Sequence, residues 1–420
     1  MSQVKNIINQ LYRSEAAKIL AVLTRIFGTH NFELAEDVLQ DAFNQALIKW
    51  EDDKIPEKPV AWLIKTAKNK AIDNIRKHKN HLQFSNDLSL LLESEWSLHQ
   101  VIEEEFTDEK IQNDLLRMIF LCCRPEIKPE NRIPFILRTL CGFNIHAISR
   151  ALMVPEETIK KRLSRTKKKL KEMSFDLPET KDLTKRMDSV HTVLYLLFNE
   201  GFYSTNNKSS LNRQLCFQAI SLTESLISEY EIANQDTAGL LALMHFHLSR
   251  INTRVNKQGF NIPLDLQDRS LWDQTRIEIA SQYLSSSLSL TTGASGRFPT
   301  EALIAQEHCL AKTFEETNWE NIVELYQRIL IIQPSPVAEL NQAIAIAYAG
   351  NIEQAVNKTK KLCKEKSLSR SHLPFSVLAH LFAKLGNQKQ ALHYAEISKN
   401  KGGTPYEHKL MFEQLERLLS

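Results

Sequence analysis

Seven cations, Lys160, Lys161, Arg162, Arg165, Lys167, Lys168 and Lys169, fall within ten residues, with Ser164 among them. Guanidinium and ammonium groups at that density suit phosphate oxygens, and Arg or Lys also reaches the O6 and N7 edge of guanine. A charge run alone is usually a solvated helix face, so its setting decides. Ile159, Leu163, Thr166 and Leu170 recur at helical spacing through the run, leaving the cations on the other side. Just before it, Ile145, Ile148 and Leu152 mark a short amphipathic helix that stops at Met153–Val154, and Pro155 suits a first helical position. Two short helices joined by a tight turn, the second cationic, form a helix-turn-helix able to enter a DNA major groove.

A second group lies far upstream. Lys65, Lys68, Asn69, Asp73, Arg76 and Lys77 share one side of a predicted helix over Val60–Lys79, whose other side carries Leu63, Ile64, Ala67, Ala71 and Ile75. Amide, carboxylate and basic groups together can meet phosphates and bases, whereas Asp73 and Arg76, three apart, could simply pair along the helix. Catalytic patterns are missing: there is no HExxH, nucleophile elbow or phosphate-binding glycine loop. His191, Glu200, His245, His247, Asp268, Arg269 and His308 are the candidates in the second half. His245 and His247 are two apart and point to different helix faces, which argues against a shared metal. The expectation is no catalysis, no cofactor and no metal. Asp268, Arg269 and Trp272 read instead as a buried ion-pair and aromatic cluster tying the second half to the first.

These groups need helices to hold them, and the composition supplies them. Glycine numbers 11 in 420 residues, and no window alternates long enough for a sheet, so the expectation is an all-α chain of two or three domains. The net charge of +3 conceals an uneven distribution: thirteen basic against ten acidic residues over 1–80, one against eight over 81–113, and fourteen against six over 114–172. Two basic segments with an acidic one between them suggest two nucleic-acid contacts and a linker that stays off DNA. The six cysteines include no CxxC and sit in apolar patterns, reading as buried reduced thiols. No secretory signal or apolar run of about 20 residues appears, which points to a cytoplasmic protein without a membrane span.

The strongest helical period covers Phe32–Trp50, with Ala35, Val38, Leu39, Ala42, Phe43, Ala46, Leu47 and Trp50 on one face. Glu36, Asp37, Gln40, Asp41, Asn44 and Gln45 lie opposite, as a protein-docking face or a merely soluble one. Pro56 and Pro59 punctuate the loop that follows.

AEDVLQDAFNQALIKW followed by PVAWLIKTAKNKAIDNIRK resembles conserved region 2 of extracytoplasmic-function (ECF) sigma factors, and CGFNIHAISRALMVPEETIKKRLSRTKKKL resembles their region 4. The resemblance covers residues 1–172. It implies that Glu36, Asp37, Gln40 and Asp41 dock on core RNA polymerase. It implies that residues 51–77, with Lys65, Asn69, Asp73, Asn74 and Arg76, bind and open the −10 promoter element. It also implies that Lys160, Lys161, Ser164 and Arg165 contact the −35 element, with Lys168 and its neighbours on phosphates. The acidic linker 81–113, including Glu103–Glu105, would thread along the polymerase or serve as a solvated tether or short helix.

Residues 173–420 exceed that pattern, after a junction at Phe175, Leu177 and Pro178. Gly350-Asn-Ile-Glu-Gln-Ala355 and Gly386-Asn-Gln-Lys-Gln-Ala391 repeat a G-N-x-x-Q-A step 36 residues apart, and Thr317-Asn-Trp-Glu-Asn-Ile322 reads as a degenerate copy 33 residues before Gly350. Helix pairs near this period resemble tetratricopeptide repeats, placed near 300–420. VLYLLFNEGFYS, LDLQDRSLWD and GRFPTEALIAQEH resemble the extension of an ECF subgroup with a tetratricopeptide-like C-terminal domain, implying a regulatory role and leaving room for a peptide or protein ligand. The competing expectation is a helical-repeat DNA-binding regulator that acts without core polymerase.

Overall fold

The computed structural model describes residues 3–51, 54–78, 88, 92, 95–152, 154–176, 180–203, 211–228, 234–256, 261–290, 295–365, 368–369 and 371–420. Asp52, Asp53, Lys79, most of the linker before Glu95, Met153, Leu177 and Pro178 lie outside that set. The described residues are all-α, with one isolated antiparallel bridge between Val255 and Asn261. The chain divides into two compact units, one of residues 1–201 with 212–222, the other of 202–211 with 223–420. The boundary expected at 172 therefore falls inside the first unit.

The first unit is built on α1 (Gln3–Phe27). From Ser14 to Phe27 every residue but Lys18 is buried, so this helix is surrounded rather than amphipathic. A 3₁₀ turn (Thr29–Asn31) leads into α2 (Phe32–Lys49), and α3 (Pro59–His78) follows the loop. Trp50 ends α2 and meets Trp62 of α3 edge-on at 5.3 Å, pinning the two ends of the loop between them. The predicted stripe of α2 is buried except at Leu47, which is 46% exposed.

Of the described linker residues, Glu95–Glu105 form α4. Then come α5 (Asp108–Cys122) and α6 (Pro129–Thr139). Cys122, Cys123, Cys141 and Cys216 are buried, and burial pushes the Cys123 thiol up to about 12, so these are packing groups. Gly142 turns the chain toward the next helix with φ +67°. A Cβ there would sit 3.4 Å from the Arg13 Cα and the Tyr12 carbonyl of α1, so the turn is pressed against the central helix.

Two helices, α7 (Ile145–Leu152) and α8 (Glu156–Leu170), stand where the sequence predicts a helix-turn-helix. Pro155 is the N-cap of α8 rather than its first residue, a one-residue difference from the reading. Ile159, Leu163, Thr166 and Leu170 are the buried residues of α8, as the period requires. Each fully buried aliphatic side chain contributes about 1.5–3 kcal/mol. The unit closes with α9 (Thr180–Phe202) and the first part of α10 (Arg213–Ser228). Arg132 of α6 donates to Ser189 Oγ of α9 at 2.8 Å, and Arg13 of α1 pairs with Glu200 of α9 at 3.7 Å.

The second unit contains α11 (Gln235–Ser249), α12 (Gln274–Ser289) and α13 (Arg297–Leu310). Three helix pairs follow: α14 (Trp319–Ile332) with α15 (Pro336–Tyr348), α16 (Ile352–Leu362) with α17 (Leu373–Lys384), and α18 (Gln388–Lys401) with α19 (Pro405–Leu419). The G-N-x-x-Q-A step has a physical basis. Gly350 and Gly386 take φ +97° and +70° with open space where a Cβ would lie, so only backbone freedom is needed there. Asn387 and Asn318 cap the next helices through their side chains, and Ala355 and Ala391 are fully buried where helices meet. A line of rings, His308, Trp319, Tyr348 and His380, runs across these helices, with Trp319 stacked on Tyr348 at 4.7 Å.

Candidate nucleic-acid interface

Burying Ile159, Leu163, Thr166 and Leu170 turns the N-terminal half of α8 outward. Lys160, Lys161, Ser164, Arg165 and Lys168 are all exposed. Lys160 is held toward Glu157 at 2.7 Å; that hydrogen bond and charge raise the lysine and lower the carboxyl. His146 of α7 reaches Glu156 at 2.9 Å across the turn. The N-terminal half of the helix is thus open to solvent.

The other flank of α8 is occupied. Lys167 pairs with Glu36, and Lys171 lies 3.3 Å from Glu33, both on α2. Glu36 is 8% exposed, which corrects its expected place on an exposed acidic face; the lysine flank covers it. Asp37, Gln40 and Asp41 are exposed as expected. They continue through Asn44 to Leu47 and Ile48, the latter 74% exposed, giving an acidic stripe with an apolar end. Asp41 lies 3.6 Å from Lys70 of α3.

On α3, Lys65, Asn69 and Asp73 form an exposed row at successive fourth positions, with Arg76 and Lys77 exposed at its end. Arg76 sits 3.4 Å from His99 of α4. Asn74 is partly covered and donates its amide to the Lys70 carbonyl at 2.9 Å, so it stands off that row. Lys68 is turned away as well, 2.5 Å from Glu103 of α4 and over the Phe106 ring.

A further charge cluster escaped the sequence reading. Asp114 of α5 is buried beside Arg117 at 3.6 Å, and Asp176 receives both Arg25 and Arg117 at 3.6 Å. Burial pushes the Asp114 carboxyl up to about 8, with Arg117 and Arg25 pulling against it. Asp114 and Arg117 are one helical turn apart, but Arg25 and Asp176 are brought together only by the fold.

The residues considered for catalysis are not gathered into one site. His191 and Glu200 belong to the first unit, the other five to the second. His245 stacks on Tyr283 at 5.7 Å while His247 lies against Phe202 at 5.2 Å, on different faces as expected. Burial pulls His191 and His245 down to about 4 and His308 to about 3. The Asp268–Arg269 ion pair is corrected. Asp268 caps its own 3₁₀ turn by accepting from Ser270, while Arg269 donates to the carbonyls of His308 and Ala311 and to Thr317 Oγ1. Trp272 donates to Thr253 Oγ1 at 3.0 Å, so the cluster ties parts of the second unit together. No group of three or more His, Cys, Asp or Glu among the described residues could hold a metal, and no described helix is long and apolar enough to cross a membrane.

Residues 11–81 match the Sigma-70 region 2 family, and residues 186–288 match a family of unknown function, DUF6596. Uncharacterized protein R00370 of Rhizobium meliloti (strain 1021) is 31% identical over 355 residues, 83% of this chain and 81% of that protein. Two Bacillus subtilis (strain 168) proteins match shorter stretches. ECF RNA polymerase sigma factor SigM is 36% identical over 19% of this chain and 46% of its own length. ECF RNA polymerase sigma factor SigW is 26% identical over 38% of this chain and 84% of its own.

Proposed function

The chain belongs to the family of the Rhizobium meliloti protein R00370 and carries a sigma-70 region 2 domain, and on that premise we propose that it is a sigma factor. It joins core RNA polymerase through the stripe Asp37, Gln40 and Asp41, with Glu36 at its edge. It reads a −35 element with Lys160, Lys161, Ser164 and Arg165, and holds phosphates with Lys168. The loop after α2 and the row Lys65, Asn69 and Asp73, with Arg76, engage a −10 element and help to open it; Asn74 supports that row by fixing the backbone of α3. The polymerase does the chemistry, and the chain supplies position and sequence choice. Residues 223–420, with their three helix pairs, regulate that activity.

The observation that carries the reading is one folded unit that combines an outward-facing recognition helix with an acidic stripe. A DNA regulator acting alone has use for the first and none for the second. Duplex is gripped through exposed cations, so binding weakens with salt, while docking on a protein needs the stripe intact. The experiment is gel filtration of the full-length chain with core RNA polymerase. Co-elution that is lost on Asp37→Lys with Asp41→Lys supports a sigma factor. DNA binding without co-elution favours an independent regulator.

A further inference from the structure

Helix α5 ends at Cys122, and the chain turns back through Arg124 and Ile127 into α6. Carbonyls at a helix end need donors from elsewhere. Arg132 of α6 supplies them, donating from Nη2 to the Arg124 and Ile127 carbonyls at 3.3 and 3.2 Å. Its Nη1 donates to Ser189 Oγ of α9 at 2.8 Å. Arg124 donates from Nη2 to the Ser174 carbonyl at 2.7 Å. Arg186 stands one helical turn before Ser189, on the same side of α9. Three half-buried guanidiniums thus gather where the α5–α6 turn meets α9. Their own charges oppose this. Burial, and then the charge of Arg186, pull Arg124 below its ordinary value. No described carboxylate comes within salt-bridge distance, 4.0 Å, of any of the three. Glu126 and Asp176 act on Arg124 from farther off, and Asp176 is already shared by Arg25 and Arg117. Arg132 Nε and Arg186 Nη1 are buried with no hydrogen-bond partner among the described residues. Holding the turn accounts for Arg124 and Arg132. It gives Arg186 nothing to do.

We propose that Arg124, Arg132 and Arg186 form an anion site that takes the phosphate group of a small phosphorylated ligand. A half-buried guanidinium without a counter-charge is costly, and a bound anion removes that cost. Three positive charges call for more than one negative charge, and a phosphate monoester carries about −1.5 to −2 at pH 7. A carboxylate ligand would leave two cations unanswered. Guanidinium also presents a planar fork that matches phosphate oxygens in pairs. Arg124 and Arg132 are already fixed by carbonyls, so little side-chain freedom is left to lose on binding. Ser189 Oγ accepts from Arg132 and keeps its own hydrogen to donate to the ligand. Half-buried cations suit a compact group. A duplex lays its phosphates on a broad front and is met by exposed cations such as those of α8. A phosphate held here ties α9 to the α5–α6 turn. The site stands apart from the sigma-factor reading and does not depend on it.

The probes are inorganic phosphate, pyrophosphate and adenosine triphosphate, each titrated by calorimetry into the full-length chain at fixed ionic strength. At least one should bind saturably and raise the thermal midpoint beyond a chloride control. Arg186→Gln should weaken that binding about ten-fold or more, as expected for the loss of a charge-assisted hydrogen bond. Its melt in chloride should match or exceed the parent's, because Arg186 holds no part of the fold together. Arg186→Lys, which keeps the charge and loses the fork, should fall between the two. Arg124→Gln should weaken binding as well. Triphosphate bound more tightly than pyrophosphate identifies a nucleotide as the ligand. Equal binding of the two identifies the phosphate groups alone as what is read, and either result supports the site. No saturable binding of any probe overturns it, as does binding that Arg186→Gln leaves unchanged. Duplex DNA that displaces the probe, and that Arg186→Gln weakens equally, would make the cluster a DNA-backbone contact and overturn the small-ligand assignment.

Discussion

Lys68 of α3 meets Glu103 of α4 at 2.5 Å, with the lysine side chain only 13% exposed. A cation of α3, the helix proposed to meet the −10 element, is thus neutralised by the acidic linker. The linker's charge also acts within its own neighbourhood, where Glu105 pairs with Lys110 at 2.6 Å. Glu103→Gln should release Lys68. Affinity for non-specific duplex should rise modestly, and the slope of log affinity against log salt should steepen by about one unit at most. A salt titration by fluorescence anisotropy reads both, and an unchanged slope would mean that Lys68 stays covered.

Arg165 and Lys168 are both exposed on α8, three residues apart, yet are assigned different work. Arg165→Ala should cost about 1–3 kcal/mol on a cognate −35 sequence and little on a scrambled one. Lys168→Ala should weaken both alike and flatten the salt dependence. Equal losses on the two sequences for Arg165→Ala would reject base readout at that position.

How far the sequence spoke for itself varies with the range of the interaction. The stripe Ile159, Leu163, Thr166 and Leu170 is a local periodicity, and all four are buried. The G-N-x-x-Q-A step is local too, because a left-handed glycine and a crossing alanine, with a capping asparagine at Asn387 though not at Asn351, each act within a few residues. Glu36 was misplaced because an exposed face on an isolated helix says nothing about what a helix 130 residues later lays across it. Leu47 failed oppositely: it fits the apolar period yet is 46% exposed, between the buried Ala46 and Trp50. Arg269 could not be read because two of its three hydrogen-bond partners are backbone carbonyls, which no residue type advertises, and the third, Thr317, lies 48 residues away.

Asp114 gives a pH signature to the first unit. Its carboxyl titrates near 8 in the folded chain against 3.8 when unconstrained. Between those values the folded state holds a proton that the unfolded state has released. Its contribution is therefore full below the lower value and is lost as pH rises through the upper. Asp114→Asn should be less sensitive to alkali than the parent between pH 6 and 9, by urea midpoints at each pH. A parallel decline in both would remove Asp114 as the cause.

His245 marks the second unit. It is 6% exposed, and neither ring nitrogen has a hydrogen-bond partner. Burial, with Arg276 adding to it, holds the imidazole near 4 against an ordinary 6.5. The unfolded chain takes up the proton first, so stability is full above 6.5 and is lost as pH falls through about 4. His245→Phe keeps the stacking on Tyr283 and removes two unsatisfied polar atoms, and should stabilise by about 1–3 kcal/mol. Calorimetry at pH 7.5 and 5 checks this, with the larger gain expected at pH 5. A loss of stability at both would show that the imidazole has a polar role in the fold.

The most direct measurement is run-off transcription from a promoter selected for this chain, with purified core RNA polymerase. The full-length protein should yield a promoter-dependent transcript that core alone does not make, and Asp37→Lys with Asp41→Lys should abolish it while duplex binding persists. A chain that binds duplex with normal salt dependence yet never directs a transcript, and never joins the polymerase, would contradict the account.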